Sequence, residues 1–135
     1  MARPAAALHG LARQVAVLEA YHGRPDDDAP DTDETNPDLL LLRTREKVTL
    51  APEADAVRVL LRLGYGSERG DYTVQYRSVA KAVGPELKGE WRWLEKARSL
   101  LRTHGREVCR RAAPQCETCP LTSSCRWFLS RRRPG

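Results

Sequence analysis

The chain has no apolar run long enough to span a bilayer, and its Ala-rich start, interrupted by His9 and Glu19, lacks the charged-then-apolar layout of a secretory signal. Both absences point away from membranes and towards a soluble, cytoplasmic protein, in a compartment where thiols stay reduced. No stretch alternates apolar and polar residues as a half-buried strand does, and no segment repeats, so the expected fold class is all-α. Bases are missing from Asp26 to Asp38, where seven acids stand. With almost no apolar side chain to offset its ordering entropy, the Pro- and Asp-rich stretch 25–38 reads as an acidic linker. A chain of 135 residues allows one modest domain, whose limited core would gain from a metal that staples part of the chain.

What is present is concentrated towards the C-terminal end. From Pro85 to Gly135 there are twelve Lys and Arg against five acids, so this stretch carries +7 while the whole chain carries +5. Such a balance suits a polyanion such as nucleic acid, and equally a solvated surface. Helical spacing recurs along the chain. Leu8, Leu11, Val15 and Leu18 predict a helix over Ala5 to Tyr21, stopped by Gly23. Leu39 to Leu42 is a short apolar run that could dock as one helical turn. Pro52 to Leu63 reads as a helix with Pro in its first turn, Val57, Leu60 and Leu61 on one face, and Gly64 at its end. Asp71 is a candidate N-cap for a helix through Val83, closed by Gly84-Pro85, with Tyr72, Tyr76, Val79 and Val83 on one stripe. The longest helix is expected from Glu90 to His104 on Trp91, Leu94, Ala97 and Leu101, widened by Trp93, Leu100 and His104.

The four cysteines carry the most specific signal. Cys109, Cys116, Cys119 and Cys125 are separated by six, two and five residues. Four thiolates on so short a loop can wrap a compact cube of iron and sulfide, while Pro114 and Pro120 restrict the loop before metal binds. Structural zinc is the main alternative. It more commonly joins two close Cys pairs across a longer spacer, and only Cys116 and Cys119 form such a pair here. Disulfides or free thiols are a third possibility.

The stretch from His104 to Cys109, His-Gly-Arg-Glu-Val-Cys, together with the six-two-five loop, resembles the C-terminal end of endonuclease III-type DNA glycosylases. The resemblance implies a [4Fe-4S] cluster on Cys109, Cys116, Cys119 and Cys125, in a loop (105–125) whose basic residues contact the phosphates of double-stranded DNA. Arg110 and Arg111 fall in the first cysteine interval, and Arg106 can join the same surface. Residues 1–24 are similar to the family's N-terminal helix, which packs on its cluster domain, and 39–104 to part of the barrel and cluster domain. Arg131, Arg132 and Arg133, in the tail 126–135, read as a solvated basic end.

Upstream, the segment from Glu53 to Gly64 is similar to the family's catalytic helix. Aligned on Arg58-Val59, Glu53 takes the place of the catalytic carboxylate, with Asp55 expected to point elsewhere around the helix. The family's Gly-rich hairpin and the nucleophilic Lys after it have no counterpart, since Lys47 lies only six residues before Glu53. The resemblance therefore implies a cluster-bearing, DNA-binding chain in the base-excision-repair family without a complete active site. An active glycosylase would need Glu53 or a partner chain that completes the missing barrel. A metal-stabilised interaction module with no nucleic-acid role is the remaining reading.

Overall fold

A computed structural model describes residues 10–23 and 36–131. Six α-helices follow in chain order: α1 (Leu11–His22), α2 (Pro37–Arg43), α3 (Ala54–Leu63), α4 (Tyr72–Val83), α5 (Trp91–Glu107) and α6 (Arg126–Arg131), with short 3-10 turns at Gly84–Glu86 and Thr122–Ser124. There is no strand among the described residues, in agreement with the all-α expectation. No described helix is long and apolar enough to cross a membrane. Residues 1–9, most of the acidic stretch (24–35) and the end of the basic tail (132–135) lie outside the described residues.

The central element is α3, which packs against α5, α4 and α6, while α1 lies on α5. That position explains why the burial of α3 exceeds the expected stripe: Ala56, Val57, Val59, Leu60 and Leu63 are all buried, and Leu61 only partly. Pro52 precedes the helix instead of occupying its first turn, because Glu53 takes the N-cap position with an extended backbone. Gly64 ends α3 in the left-handed region (φ 111°), which lets the Gly64 and Tyr65 amides return to the Leu60 carbonyl and so cover the helix end. Tyr65 is buried beyond this turn. Its hydroxyl donates to Gln14 Oε1 (2.8 Å), and the Gln14 amide reaches Ser124 Oγ (3.4 Å), a buried polar thread joining α1 to the C-terminal turn.

The ends of the other helices follow from local chemistry. Gly10 offers α1 no side-chain cap, and the Leu11 amide donates instead to Glu86 Oε1 (2.7 Å). Asn36 caps α2 by accepting from the Asp38 amide, and Asp71 caps α4 by accepting from the Val74 amide (3.0 Å). Asp38 belongs to α2, not to a linker. Its carboxylate accepts from Lys47 Nζ and from the Tyr76 hydroxyl, both at 2.8 Å. Burial alone would raise the Asp38 carboxyl, but these two donors and the Lys47 charge outweigh it and hold it below its ordinary value. Gly84 does not close α4 in a left-handed turn but continues into the 3-10 turn.

The longest helix runs three residues beyond its expected end, to Glu107. The reason lies in its crossing with α3. Gly105 is buried at the crossing, where an added Cβ would stand 2.5 Å from the Asp55 carbonyl oxygen. Without a side chain the two backbones can meet, and packing carries the helix past His104. Gly105→Ala should therefore destabilise the fold by about 1–3 kcal/mol through overpacking. That sign opposes the roughly 1 kcal/mol by which alanine is the better helix former. Gly89→Ala, which would meet nothing within 4 Å, should leave the urea midpoint unchanged and serves as the control.

Candidate metal centre and its basic surroundings

The cysteine loop hangs directly from α5. The Val108 and Cys109 amides donate to the His104 carbonyl (2.9 and 2.7 Å), so Cys109 leaves the helix in a fixed direction. The chain then turns through Ala113 in the left-handed region (φ 53°), and the Gln115 amide donates back to the Val108 carbonyl (2.8 Å). Cys116 and Cys119 bracket a turn in which the Cys119 amide donates to the Cys116 carbonyl (3.1 Å). Cys125 follows the second 3-10 turn and precedes α6, where its carbonyl accepts from the Leu129 amide (3.0 Å).

Two arginines on α3, one helical turn apart, fasten this loop. Arg58 donates to the carbonyls of Gly105 (Nη2, 2.6 Å) and Cys109 (Nε, 3.0 Å). Arg62 donates to the carbonyls of Arg110 (Nη1, 2.9 Å) and Arg111 (Nη2, 3.2 Å), and its Nη1 also lies 3.3 Å from Cys109 Sγ. Carbonyls at a helix C-terminus have no intrahelical partner and carry partial negative charge, so a planar cation with several donors suits them. The Cys125 thiol is directed at the Arg62 carbonyl (3.5 Å).

All four cysteines are free thiols. Burial first, then the neighbouring cysteines, push the Cys119 thiol up to about 11, opposed by the Leu121 amide that donates to its sulfur. Cys116 and Cys125 are raised too, chiefly by burial and also by Cys109. A second polar line reaches Cys119 from the other side: its Sγ is 3.3 Å from His104 Nε2, whose Nδ1 is 3.0 Å from His22 Nε2. Burial, and then His22, hold His104 down to about 4, so its ring is neutral at neutral pH. Among the described residues no three His, Cys, Asp or Glu side chains are gathered as a metal ion would require. The four cysteines are unpaired, and N–H groups of Arg62 and Leu121 are aimed at the sulfurs of Cys109 and Cys119.

The remaining expected site residues fall into two groups. Arg110 and Arg111 are exposed on the loop, and Arg110 also donates to the Ala113 carbonyl (3.4 Å). Glu53, by contrast, is 5% exposed and faces the protein's own cations, with Arg102 Nη1 at 3.7 Å and Arg106 Nη2 at 3.6 Å. It is held inside the fold between these two arginines. Asp55 does not point elsewhere: its carboxylate pairs with Arg58 (3.1 Å) and, like Glu53, with Arg106 (3.6 Å). Arg106 is thereby engaged by two acids, although its side chain stays 36% exposed.

Residue patterns alone missed the clamp of Arg58 and Arg62 and the part played by Trp127. The four-residue spacing of the two arginines, which puts both on one face of α3, is the signal that could have revealed them. Trp127 sits in what reads as the start of a solvated tail. It belongs instead to α6, and its ring lies under the guanidinium groups of Arg62 (4.5 Å) and Arg131 (4.1 Å).

No protein-family model, curated protein or solved structure matches this chain. The likeness to endonuclease III-type glycosylases therefore rests on the cysteine spacing and the residues around it. For Glu53 the geometry predicts a structural effect. Glu53→Ala would leave Arg102, only 4% exposed, without that carboxylate, and should cost on the order of 3 kcal/mol in urea unfolding.

Proposed function

We propose that this chain is an iron–sulfur protein that docks on double-stranded DNA through its cysteine loop, akin to the cluster-bearing part of endonuclease III-type repair glycosylases. The observation that carries the reading is the loop itself: four free thiols at six-two-five spacing, fastened from behind by Arg58 and Arg62, with Arg110 and Arg111 exposed on it. Cys109, Cys116, Cys119 and Cys125 would hold a [4Fe-4S] cluster, which would supply the bonds that stiffen the loop. Thiolate ligands require a reducing compartment, so the place of action is the cytoplasm, at the nucleoid when DNA is bound. A loop already ordered before contact loses little further entropy on meeting phosphates, and two exposed guanidinium groups supply affinity independent of base sequence.

Base excision is not part of this reading. The carboxylate that aligns with the family's catalytic acid is buried between two arginines, and the hairpin with its lysine has no counterpart. A partner chain that completed the barrel would have to bring its own carboxylate.

Two measurements test the proposal. Each single Cys→Ser change at Cys109, Cys116, Cys119 or Cys125 should lower bound iron and sulfide, together with broad absorbance near about 400 nm, in anaerobically purified protein. Full iron and sulfide in all four variants would reject the ligand set, and stoichiometric zinc in the parent protein would give the site to zinc. The second measurement is DNA affinity as a function of salt. Arg110→Ala combined with Arg111→Ala should flatten the slope for duplex DNA by about two units while leaving iron content unchanged. An unaltered slope would remove these residues from the interface.

A further inference from the structure

Two clefts flank α4 and share one lining residue. The first, of about 550 Å³, lies between α3, α4 and α6 and includes Arg58, Arg62 and Arg111 in its lining, with Glu68 as the one acid. The second, of about 510 Å³, lies between α2 and α4 and includes Lys47 and Arg77, with Asp38 as the one acid. Tyr72 lines both, and it is 45% exposed although it opens the buried stripe of α4. The cations on both sides outnumber the acids, so a polyanion passing from one cleft to the other meets favourable charge throughout. Asp55 offsets Arg58 (3.1 Å) and Asp38 offsets Lys47 (2.8 Å), so the net positive charge of the clefts comes from Arg62, Arg111 and Arg77.

The ring between the clefts is held in place. Asp71 caps the first turn of α4, and the Gln75 amide donates to the carbonyls of Glu68 (2.7 Å) and Gly70 (3.1 Å). Gly70 adopts φ 83° with its Cα side against Val74, where any Cβ would come within 2.9 Å of that side chain. The Ser67 amide donates to Ser78 Oγ (2.6 Å), so the loop before α4 is fastened to the helix at several points. Behind Tyr72 stands Tyr76, its ring centroid 6.2 Å away and its hydroxyl bound to Asp38. An exposed aromatic on a fixed helical turn, flanked by positive clefts, offers what a single strand uses: a face for a base and cations for the phosphates on either side. In a duplex both faces of every base are already stacked, so this ring gains only from unpaired nucleotides.

We propose that an unpaired stretch of DNA runs across the first turn of α4, with one base on Tyr72 and the flanking phosphates in the clefts of Arg111 and Arg77. The inference rests on the DNA reading above and adds to it a stacking contact for unpaired DNA, which shares Arg111 with the duplex contact. The test is fluorescence anisotropy of the full chain with a labelled oligo-dT and with a duplex of equal length, for the parent protein, Tyr72→Ala and Tyr72→Phe. Tyr72→Ala should weaken oligo-dT binding roughly ten-fold, Tyr72→Phe should stay within about two-fold of the parent, and duplex binding should change little in either. Unchanged oligo-dT affinity in Tyr72→Ala overturns the proposal, as does an equal loss in Tyr72→Phe, which keeps the ring. A parent protein that binds duplex but not oligo-dT overturns this inference alone, whereas one that binds neither overturns the duplex reading as well. Circular dichroism melts of both variants, expected to match the parent, exclude unfolding as the cause.

Discussion

The guanidinium groups of Arg58 and Arg62 receive the carbonyls at the end of α5 and the start of the cysteine loop, and the rest of the structure is arranged around that junction. A hydrogen bond from a charged donor contributes about 1.5–3 kcal/mol when well shielded. Of the four bonds, the two from Arg58 are partly buried and approach this value, while the two from Arg62 are exposed and contribute less. They fix where α5 ends relative to α3, and Gly105 allows the two helices to come close enough for the arginines to reach. They also fix the backbone at Cys109. α6 is tied to the same place, since Trp127 lies against Arg62.

A second arginine array runs along α5. Arg98, Arg102 and Arg106 recur every fourth residue and all face the segment that leads into α3: Arg98 donates to the Ala51 carbonyl (2.9 Å), Arg102 pairs with Glu53, and Arg106 with Glu53 and Asp55. Ala51 has a left-handed backbone (φ 43°), a conformation that costs a non-glycine residue energy and that the bonds from Arg98 and to Thr49 Oγ1 help to hold. Part of the basic excess in the C-terminal half is therefore internal. Arg98 and Arg102 are 7% and 4% exposed and contribute to packing, so the charge available to a partner is smaller than the formal count.

The longer helices were legible because apolar residues recur at helical spacing, and α3, α4 and α5 lie within a few residues of where that spacing puts them, whereas the run that becomes α2 is too short for periodicity to classify. The arginine arrays were not legible in the same way, since a periodicity argument assigns every Arg to solvent. Only the path of the backbone reveals that Arg58, Arg62, Arg98 and Arg102 face carbonyls and carboxylates. Glu53 illustrates the same limit. Its alignment with a catalytic acid and its position at the start of α3 follow from sequence, but its burial depends on α5 crossing at Gly105. The cysteine quartet stands out in the sequence because its members lie close together. Tyr72 was readable only as one member of an apolar stripe, and its exposure follows from two clefts that form when α2, α3 and α6 close around α4.

The polar thread from Tyr65 through Gln14 to Ser124 has a consequence for the order of folding. Gln14 and Ser124 are 110 residues apart in the chain, yet they meet inside the protein, and α1 finds its main packing surface on α5. Contacts of such long sequence separation form only after the intervening chain has been collected, and closing so large a loop carries an entropic cost that local helix formation does not. The first described helix can therefore gain its native partners only late, once α3, α5 and the turn before Cys125 are in place. The two ends of the described chain complete the fold as one cooperative event, and disturbance of the C-terminal turn is felt at α1.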